Sequence, residues 1–509
     1  MRSKKLLLNS AVSLTLQLVT AVCGFIVPRL IVGTYGSEIN ALTSSIAQFL
    51  SYITFAETSV GGIARAAFYK PLADENMSAI SEIFNASEKF FRKVAYLFVG
   101  YTVVLAAFYP LLVNDSFDWL FTSSLIVIIA LSTFMQYFFG MTNSVLIQAD
   151  QRQYVNSTLQ IVTIILNAIM VVLFVKLDMS IQMLKLATSL IYIIKPIALA
   201  LYVKKKYNID KKEKPDQSII EHRWDGYGHH IANFVNSNTD VAILTFASSI
   251  SSRVALAEVS VYTVYNSIVY AFVNLVRSLS EGVEAAFGNM LAKKEYDNLN
   301  NKFGIYEFMS FNLITVLFVI TGVLLIPFMQ VYMNGVTDVN YCRTAFGIIL
   351  VLANAMYTIR IPYQLVVYAA GHYKQTKKGA YAEAVLNIVL SVALVPFFAL
   401  EGVAIGTLAA MTFRTGQYVL YLSKNIMHRS VKYFFKRMLI ALLIAAISIA
   451  VVSLLPNFTG VTYMKWIVYA IEVSLIVAAV TLTVNLIFCR SDLTQAWKYA
   501  RRLIFAKIK

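Results

Sequence analysis

Apolar runs longer than about 18 residues recur along the whole chain, and each could cross a hydrocarbon core about 30 Å thick. Only helices and closed barrels satisfy their backbone polar groups inside a bilayer, so runs of this length predict spanning helices. Charged residues make up 14% of the 509 positions, against about 25% in soluble domains. We predict about fourteen spans, near residues 7–33, 39–66, 92–113, 118–145, 155–175, 179–203, 229–251, 256–282, 304–333, 342–369, 378–398, 401–423, 435–455 and 464–489.

The basic residues lie mostly in every second connection between the predicted spans. If the N-terminus is cytoplasmic, the basic stretches at 204–214 and 374–378 are cytoplasmic too. The positive-inside rule then predicts a multi-pass membrane protein with both termini in the cytoplasm. The net charge of +16 is explained by this topology and by contact with anionic headgroups, so no nucleic-acid partner is expected. The outer connections carry little beyond Lys176, Arg253, Arg343 and Lys465.

The chain contains an internal repeat. Residues 149–152 in the first copy match residues 370–373 in the second. Each copy is predicted to hold six helices, so the two lobes should be related by a pseudo-two-fold axis along the membrane normal. Each copy has an asparagine, a cation 27 or 28 positions later and a tyrosine seven positions after that, namely Asn167, Lys195 and Tyr202, then Asn387, Arg414 and Tyr421.

These patterns predict an all-α integral membrane protein of two six-helix lobes plus two C-terminal helices. Two facing lobes imply a central cavity and alternating access. The cysteines are three in number and far apart, so no metal-ligand spacing exists and no cofactor is expected. The predicted domains are an N-lobe at 1–203, a basic cytoplasmic linker at 204–228, a C-lobe at 229–425, and the last two helices with a basic tail at 426–509.

Arginines within the predicted spans are candidate ligands for a diphosphate. A charge at the centre of a spanning helix costs about 2.5–3.5 kcal/mol on insertion scales, so it tends to face water, a partner or a ligand. Arginine stays protonated and binds phosphate in a bidentate manner. Arg29 and Arg65 lie near helix ends, where snorkelling to headgroups is the alternative. The candidates are Arg29, Arg65, Arg277, Arg360 and Arg414.

A second group of polar residues is predicted to couple transport to an ion or to line the cavity. A buried carboxylate can titrate near neutral pH, so Asp240 or Glu57 could carry H⁺ or Na⁺. The alternative driving force is the membrane potential acting on the charged complex. Glu281 lies one helical turn after Arg277 and could instead neutralise it. The group comprises Glu57, Asn236, Asp240, Glu281 and Glu383, and no catalytic residue is predicted.

Four stretches of the sequence resemble a known transporter family. The resemblance is to the polysaccharide flippases of the multidrug/oligosaccharidyl-lipid/polysaccharide exporter superfamily, the Wzx-type O-antigen and capsule transporters. It covers nearly the whole chain. Each motif is loose, but their order is fairly specific. The stretches are residues 61–69 (GGIARAAFY), 238–244 (NTDVAIL), 371–376 (GHYKQT) leading into 383–387 (EAVLN), and 402–407 (GVAIGT).

This resemblance implies a flippase, not an enzyme, in the bacterial cytoplasmic (inner) membrane. Its substrate would be an undecaprenyl-diphosphate-linked oligosaccharide for surface polysaccharide synthesis, with membrane lipids, a polysaccharide polymerase and other assembly proteins as partners. The chain is also similar to the related lipid II flippase, which has about fourteen helices. That flippase relies on arginines in its first, second and eighth helices. Arg29, Arg65 and Arg277 lie in the corresponding helices here. The last two helices of that relative form a lipid-tail groove, and the Wzx type often lacks them.

Three other functions would also suit a protein with many spanning helices. A cation-coupled multidrug extruder of the same superfamily usually carries its coupling carboxylate in helix one, whereas helix one here has only Arg29. A membrane-bound polymerase or glycosyltransferase would need a large outer loop with catalytic residues. No such loop is predicted, and no G-x-x-x-x-G-K-[ST] phosphate loop occurs. A scaffold for polysaccharide assembly stays open, but it would leave the charges in the spans without a purpose.

Overall fold

The computed structural model describes most of the chain, and the described residues form helices without strands. This confirms the all-α fold class. The backbone is described for residues 2–113, 116–215, 227–251, 254–456 and 458–506. Within these ranges, side chains are not described for residues 2–7, 56–59, 227–237, 281–282, 285, 499–500 and 502–506.

The chain divides into two compact units, Met1–Thr263 and Val264–Lys509. The first unit begins with a long helix that packs against α7. Its helices are α1 (Arg2–Tyr35), α2 (Ser37–Ser51), α3 (Thr54–Ala73), α4 (Met77–Phe108), α5 (Trp119–Met135), α6 (Met141–Ala149), α7 (Gln153–Lys176), α8 (Ile181–Lys206), α9 (Tyr227–Ile250) and the start of α10 (Ala257–Ala292). The predicted lobe and linker boundaries stay a prediction.

The second unit contains the rest of α10 and seven further helices, of which α12 packs on α14 and α11 packs on α16. They are α11 (Tyr296–Tyr332), α12 (Thr344–Ile359), α13 (Ile361–Ala369), α14 (Tyr373–Asn425), α15 (Lys432–Val452), α16 (Tyr463–Phe488) and α17 (Arg490–Ala506).

Eleven spans among the described residues are long and apolar enough to cross a membrane. One of them, α14, contains two of the predicted spans, because its backbone breaks at Ala399 (φ 46°). The predicted span at 39–66 falls on α2 and α3, which are separated by a turn at Tyr52 and Ile53. The predicted span at 229–251 falls on α9. The predicted set of spans is therefore accounted for by helices.

Some helices are longer than the predicted spans. The helix α4 begins at Met77, fifteen residues before the predicted start, and the side chain of Asn76 caps it by accepting from Ala79 N at 3.1 Å. Its first part, residues 77–91, is amphipathic rather than continuously apolar, so hydropathy alone missed it. Such a cap satisfies a backbone N–H that would otherwise have no partner in the first turn.

The backbone of the two units shows the internal repeat, but its register differs by one residue from the predicted one, because residues 150–152 match 370–372 and not 371–373. In the first unit, residues 150, 151 and 152 donate backbone hydrogen bonds to the carbonyls of 146, 148 and 147, and residues 370, 371 and 372 donate to 366, 368 and 367 in the second. Residues with positive φ also recur at matching positions. The pairs are Glu75 (53°) and Lys294 (59°), Gln151 (57°) and Gly371 (72°), and Asp178 (49°) and Ala399 (46°).

The two parts of α14 pack closely on each other beyond Ala399. A Cβ atom on Gly402 would lie 2.7 Å from the carbonyl carbon of Leu394, and one on Gly406 would lie 2.8 Å from the backbone N of Ser391. Small residues allow helix backbones to approach in this way. Because a side chain at either position would collide with the backbone, these two glycines allow residues 373–398 and 400–425 to pack as a tight antiparallel pair.

Candidate functional site

Three of the predicted residues form a buried ion-pair network in the second unit. Arg360 lies at the joint between α12 and α13, and Glu383 and Arg414 come from the two parts of α14. Arg360 Nη1 is 2.5 Å from Glu383 Oε1, and Arg414 Nε is 3.4 Å from Glu383 Oε2. All three side chains are no more than 3% exposed. The carboxylate therefore holds two arginines in a site that water barely reaches.

Arg414 also connects the two parts of α14 to each other. Its Nη1 donates to the carbonyl of Thr376 at 2.9 Å and also to Gln417, and its Nη2 donates to the hydroxyl of Tyr418 at 2.8 Å. The guanidinium lies over the ring of Tyr418, 4.2 Å from its centroid. A planar guanidinium with five donors can hold this many partners at once.

Arg277 joins this network through Tyr357. The guanidinium of Arg360 lies 4.2 Å from the centroid of the Tyr357 ring, and that of Arg277 lies 5.6 Å from it. Arg277 Nη2 also donates to the Tyr357 hydroxyl. Arg277 is exposed, whereas Arg360 is 3% exposed, and Arg360 Nε has no hydrogen-bond partner among the described atoms. The contacts therefore run from an accessible cation into a buried one.

The structure thus brings together four of the residues that the sequence predicted, namely Arg277, Arg360, Glu383 and Arg414. The proposed contact of the arginines with a diphosphate stays a prediction. The side chains of Glu57, Asn236 and Glu281 lie outside the described residues, and with them the predicted pairing of Glu281 with Arg277. In the part of the chain that is described, no three His, Cys, Asp or Glu side chains are grouped so as to hold a metal ion.

The other two predicted arginines lie in the first unit. Arg65 on α3 is exposed and donates to Gln148 Oε1 at 3.0 Å. Arg29 on α1 is half-buried, and its guanidinium lies over Gly33, where a Cβ atom would be 2.6 Å from Arg29 Nη1. A glycine one turn later therefore gives the Arg29 side chain the space that it occupies.

Asp240 is buried in a polar layer of the first unit. It is 6% exposed, and the hydroxyl of Tyr262 donates to its Oδ2 at 2.7 Å. The neighbouring Asn238 accepts from Gln48 at its side chain (2.5 Å) and from the Tyr52 hydroxyl at its carbonyl (2.9 Å). This layer joins α2, α9 and α10. The ion-coupling role of Asp240 stays a prediction.

The second unit contains a second buried carboxylate that was not predicted from the sequence. Glu307 on α11 is fully buried; it accepts from the hydroxyl of Tyr363 at 2.6 Å and pairs with Arg429 at 2.8 Å. Arg437 lies 4.0 Å from Glu307 and 2.7 Å from Asp492 at the start of α17. An acid inside the apolar run at 304–333 was the available signal, and basic residues at 429 and 437 were its candidate partners.

A polar cluster at the end of α8 in the first unit was missed as well. Asp150 Oδ2 accepts from Arg152 Nε at 2.6 Å and from the hydroxyl of Tyr207 at 2.5 Å. Burial, together with the hydrogen bond to Asp150, raises the pKa of Tyr207 above its usual value. Arg152 Nη1 also donates to the hydroxyl of Tyr202 at 3.4 Å. The equivalent loop of the second unit contacts the equivalent tyrosine, because His372 Nδ1 and the hydroxyl of Tyr421 are 2.9 Å apart.

Solved transporter structures share this fold. A structure described as the lipid II flippase MurJ in an inward closed conformation aligns over 93% of this chain and 98% of its own, with a TM-score of 0.68 and 15% identity. An inward-facing multidrug resistance MATE family transporter of the MOP superfamily aligns over 81% and 97%, with a TM-score of 0.63 and 11% identity. The chain has the fold of these transporters.

A third structure agrees with the first two. The MATE multidrug transporter DinF-BH aligns over 84% of this chain and 96% of its own, with a TM-score of 0.55 and 14% identity. No protein-family model matches the sequence, and no curated protein sequence does. Because the identities are low, these similarities establish the fold alone.

Proposed function

We propose that this chain is a membrane transporter that moves a lipid-linked saccharide with an anionic diphosphate from one face of the membrane to the other. The observation that carries the proposal is the exposed Arg277 at the accessible end of the buried Arg360–Glu383–Arg414 network. An exposed guanidinium supported in this way by its own unit suits the capture of a phosphate group.

The electrostatics of the network favour an anion over a cation. The described side chains of the cluster comprise one carboxylate, Glu383, which pairs with Arg360 and Arg414, and a third arginine, Arg277, so the cluster keeps a net positive charge. Glu383 lies at the buried end, which leaves the excess charge toward Arg277. Arg65 in the first unit adds a second exposed arginine, paired with an uncharged glutamine. A multidrug substrate that is itself cationic would be repelled by both.

The finer assignment builds on the shared fold with the lipid II flippase. We propose an undecaprenyl-diphosphate-linked oligosaccharide as the substrate, with the protein in the bacterial cytoplasmic membrane, both termini cytoplasmic, and alternating access as the mechanism. A polysaccharide polymerase and other assembly proteins would take over the flipped product. In this proposal the chain performs no covalent chemistry and is not an enzyme.

The proposed driving force is an ion gradient acting through Asp240. A carboxylate buried beside a tyrosine hydroxyl in a polar layer can bind H⁺ or Na⁺ in one state and release it in the other. Asp240→Asn should then abolish the ion dependence of transport while leaving the protein folded. If transport keeps its ion dependence in that variant, the membrane potential becomes the better explanation.

A multidrug extruder is the second candidate, because other structures with this fold are multidrug transporters. The sequence of α1 weighs against it, since Arg2–Tyr35 contains no acidic residue to serve as a coupling carboxylate in the first helix. Efflux of cationic dyes from cells that carry or lack the protein separates the two candidates directly.

The decisive experiment measures lipid-linked saccharide in each membrane leaflet after deletion of the gene. We expect build-up on the cytoplasmic leaflet and loss of surface polysaccharide. Complementation with Arg277→Ala should fail, whereas Arg490→Ala, at an exposed arginine at the start of α17, should restore transport. An unchanged leaflet distribution, or full complementation by Arg277→Ala, would refute the proposal.

A further inference from the structure

Tyr357 lies where the exposed and buried parts of the network meet. It is half-buried on α12, its ring lies against both guanidinium groups, and its hydroxyl accepts from Arg277 Nη2. Nothing in the sequence pattern singled it out, because an aromatic residue in a spanning helix is usually packing or part of an interfacial belt.

The Tyr357 ring allows the two guanidinium groups to lie near each other. Arg277 and Arg360 would repel each other if they met directly, but the face of an aromatic ring attracts cations. Arg360 is compensated by Glu383 at 2.5 Å, so it stays buried and fixed. The ring is therefore held by a buried arginine on one side and can hold an exposed arginine on the other.

The hydroxyl adds a directional constraint. A free arginine side chain has many rotamers, and fixing them when a ligand binds costs affinity. Arg277 hydrogen-bonds to Tyr357 through Nη2 and also to Tyr270, and a guanidinium with five donors still has others available. An arginine oriented in this way is prepared to meet a phosphate before the phosphate arrives.

We propose that Tyr357 is a positioning residue for the anionic end of the transported lipid. It orients Arg277 for phosphate binding and connects it to the Arg360–Glu383–Arg414 network. This inference rests on the proposed function, since it assumes that Arg277 binds a diphosphate. Tyr357 itself acts through Arg277 and does not have to touch the ligand.

The test uses the full chain in lipid nanodiscs with farnesyl diphosphate as the probe and farnesol as its uncharged counterpart. Tyr357→Phe removes one hydrogen bond to a charged group. We expect this variant to bind the probe about five- to tenfold more weakly than wild type does. Tyr357→Ala also loses the ring, so its affinity should approach that of Arg277→Ala. In an Arg277→Ala background, Tyr357→Phe should cause no further loss, because the residue through which it acts is gone.

Tyr421→Phe is the matched control. It removes a tyrosine hydroxyl of the same unit that contacts His372 instead of an arginine, so binding should stay at the wild-type level. Thermal unfolding of each variant shows whether it is folded. If Tyr357→Ala does not fold, the comparison of Tyr357→Phe with wild type still tests the proposal.

The outcomes separate the two levels of the proposal. If wild-type protein binds farnesyl diphosphate no better than farnesol, the proposed diphosphate recognition fails, and the positioning role fails with it. If wild type prefers the diphosphate and Arg277→Ala loses that preference, but Tyr357→Phe binds like wild type, only the positioning role is overturned. A Tyr357→Phe loss that persists in the Arg277→Ala background would also overturn it.

Discussion

The two copies of the repeat share their backbone features but differ in charge at three matching positions. In the second copy these positions hold two arginines and a glutamate, which form the buried network. In the first copy Lys195 donates to Gln160 at 2.7 Å, and the hydroxyl of Thr163 bonds to its own helix at Leu159 O, 2.9 Å away. The matching positions are Gly140, Thr163 and Lys195 in the first copy, and Arg360, Glu383 and Arg414 in the second.

This difference shows that the repeated fold does not require the ion-pair network. The first copy forms the same loop at 150–152 and the same turn at Asp178 with one lysine at these positions. Buried ion pairs are weak evidence for stability, because the cost of removing charges from water offsets much of their attraction. The network of the second copy is therefore better explained by a task that the first copy does not perform.

The strongest test of this comparison is Glu383→Gln. The substitution leaves Arg360 and Arg414 buried without their carboxylate, so we expect a loss of about 3–5 kcal/mol in the free energy of unfolding. Thr163→Val, at the matching position of the first copy, removes one hydrogen bond to its own helix and should cost less than about 1 kcal/mol. Thermal and denaturant unfolding in detergent measure both. Equal losses would mean that the two copies depend equally on this position.

The next largest effect on the free energy of unfolding is expected when the arginine at 414 and the lysine at 195 are each replaced by the other residue type. Arg414→Lys cannot reach Glu383, the Thr376 carbonyl and the Tyr418 hydroxyl together, so it should cost about 2 kcal/mol of unfolding free energy. Lys195→Arg, which has one glutamine to satisfy, should change that free energy by less than about 1 kcal/mol. A tolerated Arg414→Lys would show that charge alone matters at this position.

The polar cluster around Asp150 should respond to alkaline pH through Tyr207. The pKa of Tyr207 is raised by burial and by its hydrogen bond to Asp150. Because the pKa is higher in the folded state, Tyr207 contributes its full stabilisation at pH values below the unfolded pKa of about 10. This contribution is lost as the pH rises from there toward the folded pKa. We expect a contribution of about 1.4 kcal/mol to be lost per pH unit between pH 10 and the folded pKa.

Tyr207→Phe should remove this part of the alkaline loss. Unfolding curves of wild type and variant, recorded from pH 8 to 11.5, should therefore converge as pH rises. Tyr202→Phe is the control, because that hydroxyl makes only a 3.4 Å contact with Arg152. Parallel curves for wild type and Tyr207→Phe would argue against this assignment.

The smallest expected effect concerns the left-handed residue of each loop. Gly371 has φ 72°, and a Cβ atom there would meet no other atom within 4 Å, so Gly371→Gln should cost only the conformational strain of about 1 kcal/mol. The reverse change, Gln151→Gly, relieves such strain but adds freedom to the unfolded chain, and should alter stability by about 0.5 kcal/mol or less. A large loss in Gly371→Gln would indicate a contact that the free space at this position does not suggest.

Much of the fold was predictable, because long apolar runs and the positions of turns are local properties of the sequence. The break in α14 was predicted as a boundary between 398 and 401, and Ala399 confirms it. The repeat was predictable because the spacing of an asparagine, a cation and a tyrosine in the first copy recurs in the second at Asn387, Arg414 and Tyr421. The turn at Tyr52 and Ile53 was not, since neither proline nor glycine marks it and tertiary packing decides where that helix breaks.

The site was only partly predictable. The charged residues were visible because charges in apolar runs are rare, so Arg277, Arg360, Glu383 and Arg414 were all among the candidates. Their pairing was not visible, because it depends on the rotation of three helices and on contacts between residues 23 or more positions apart. Tyr357 could not be distinguished by sequence from the many aromatic residues that only pack.

The close pairing within α14 has a consequence for how this protein can change over evolution. Gly402 and Gly406 join its two parts near the break, and Arg414 joins them again at Thr376 and Glu383. Because its two parts are held together at both places, α14 can keep its structure when residues that contact it are substituted. Under the proposed function, exchanging the exposed side chain at 277 would change which headgroup binds, while the buried residues that support it stay the same.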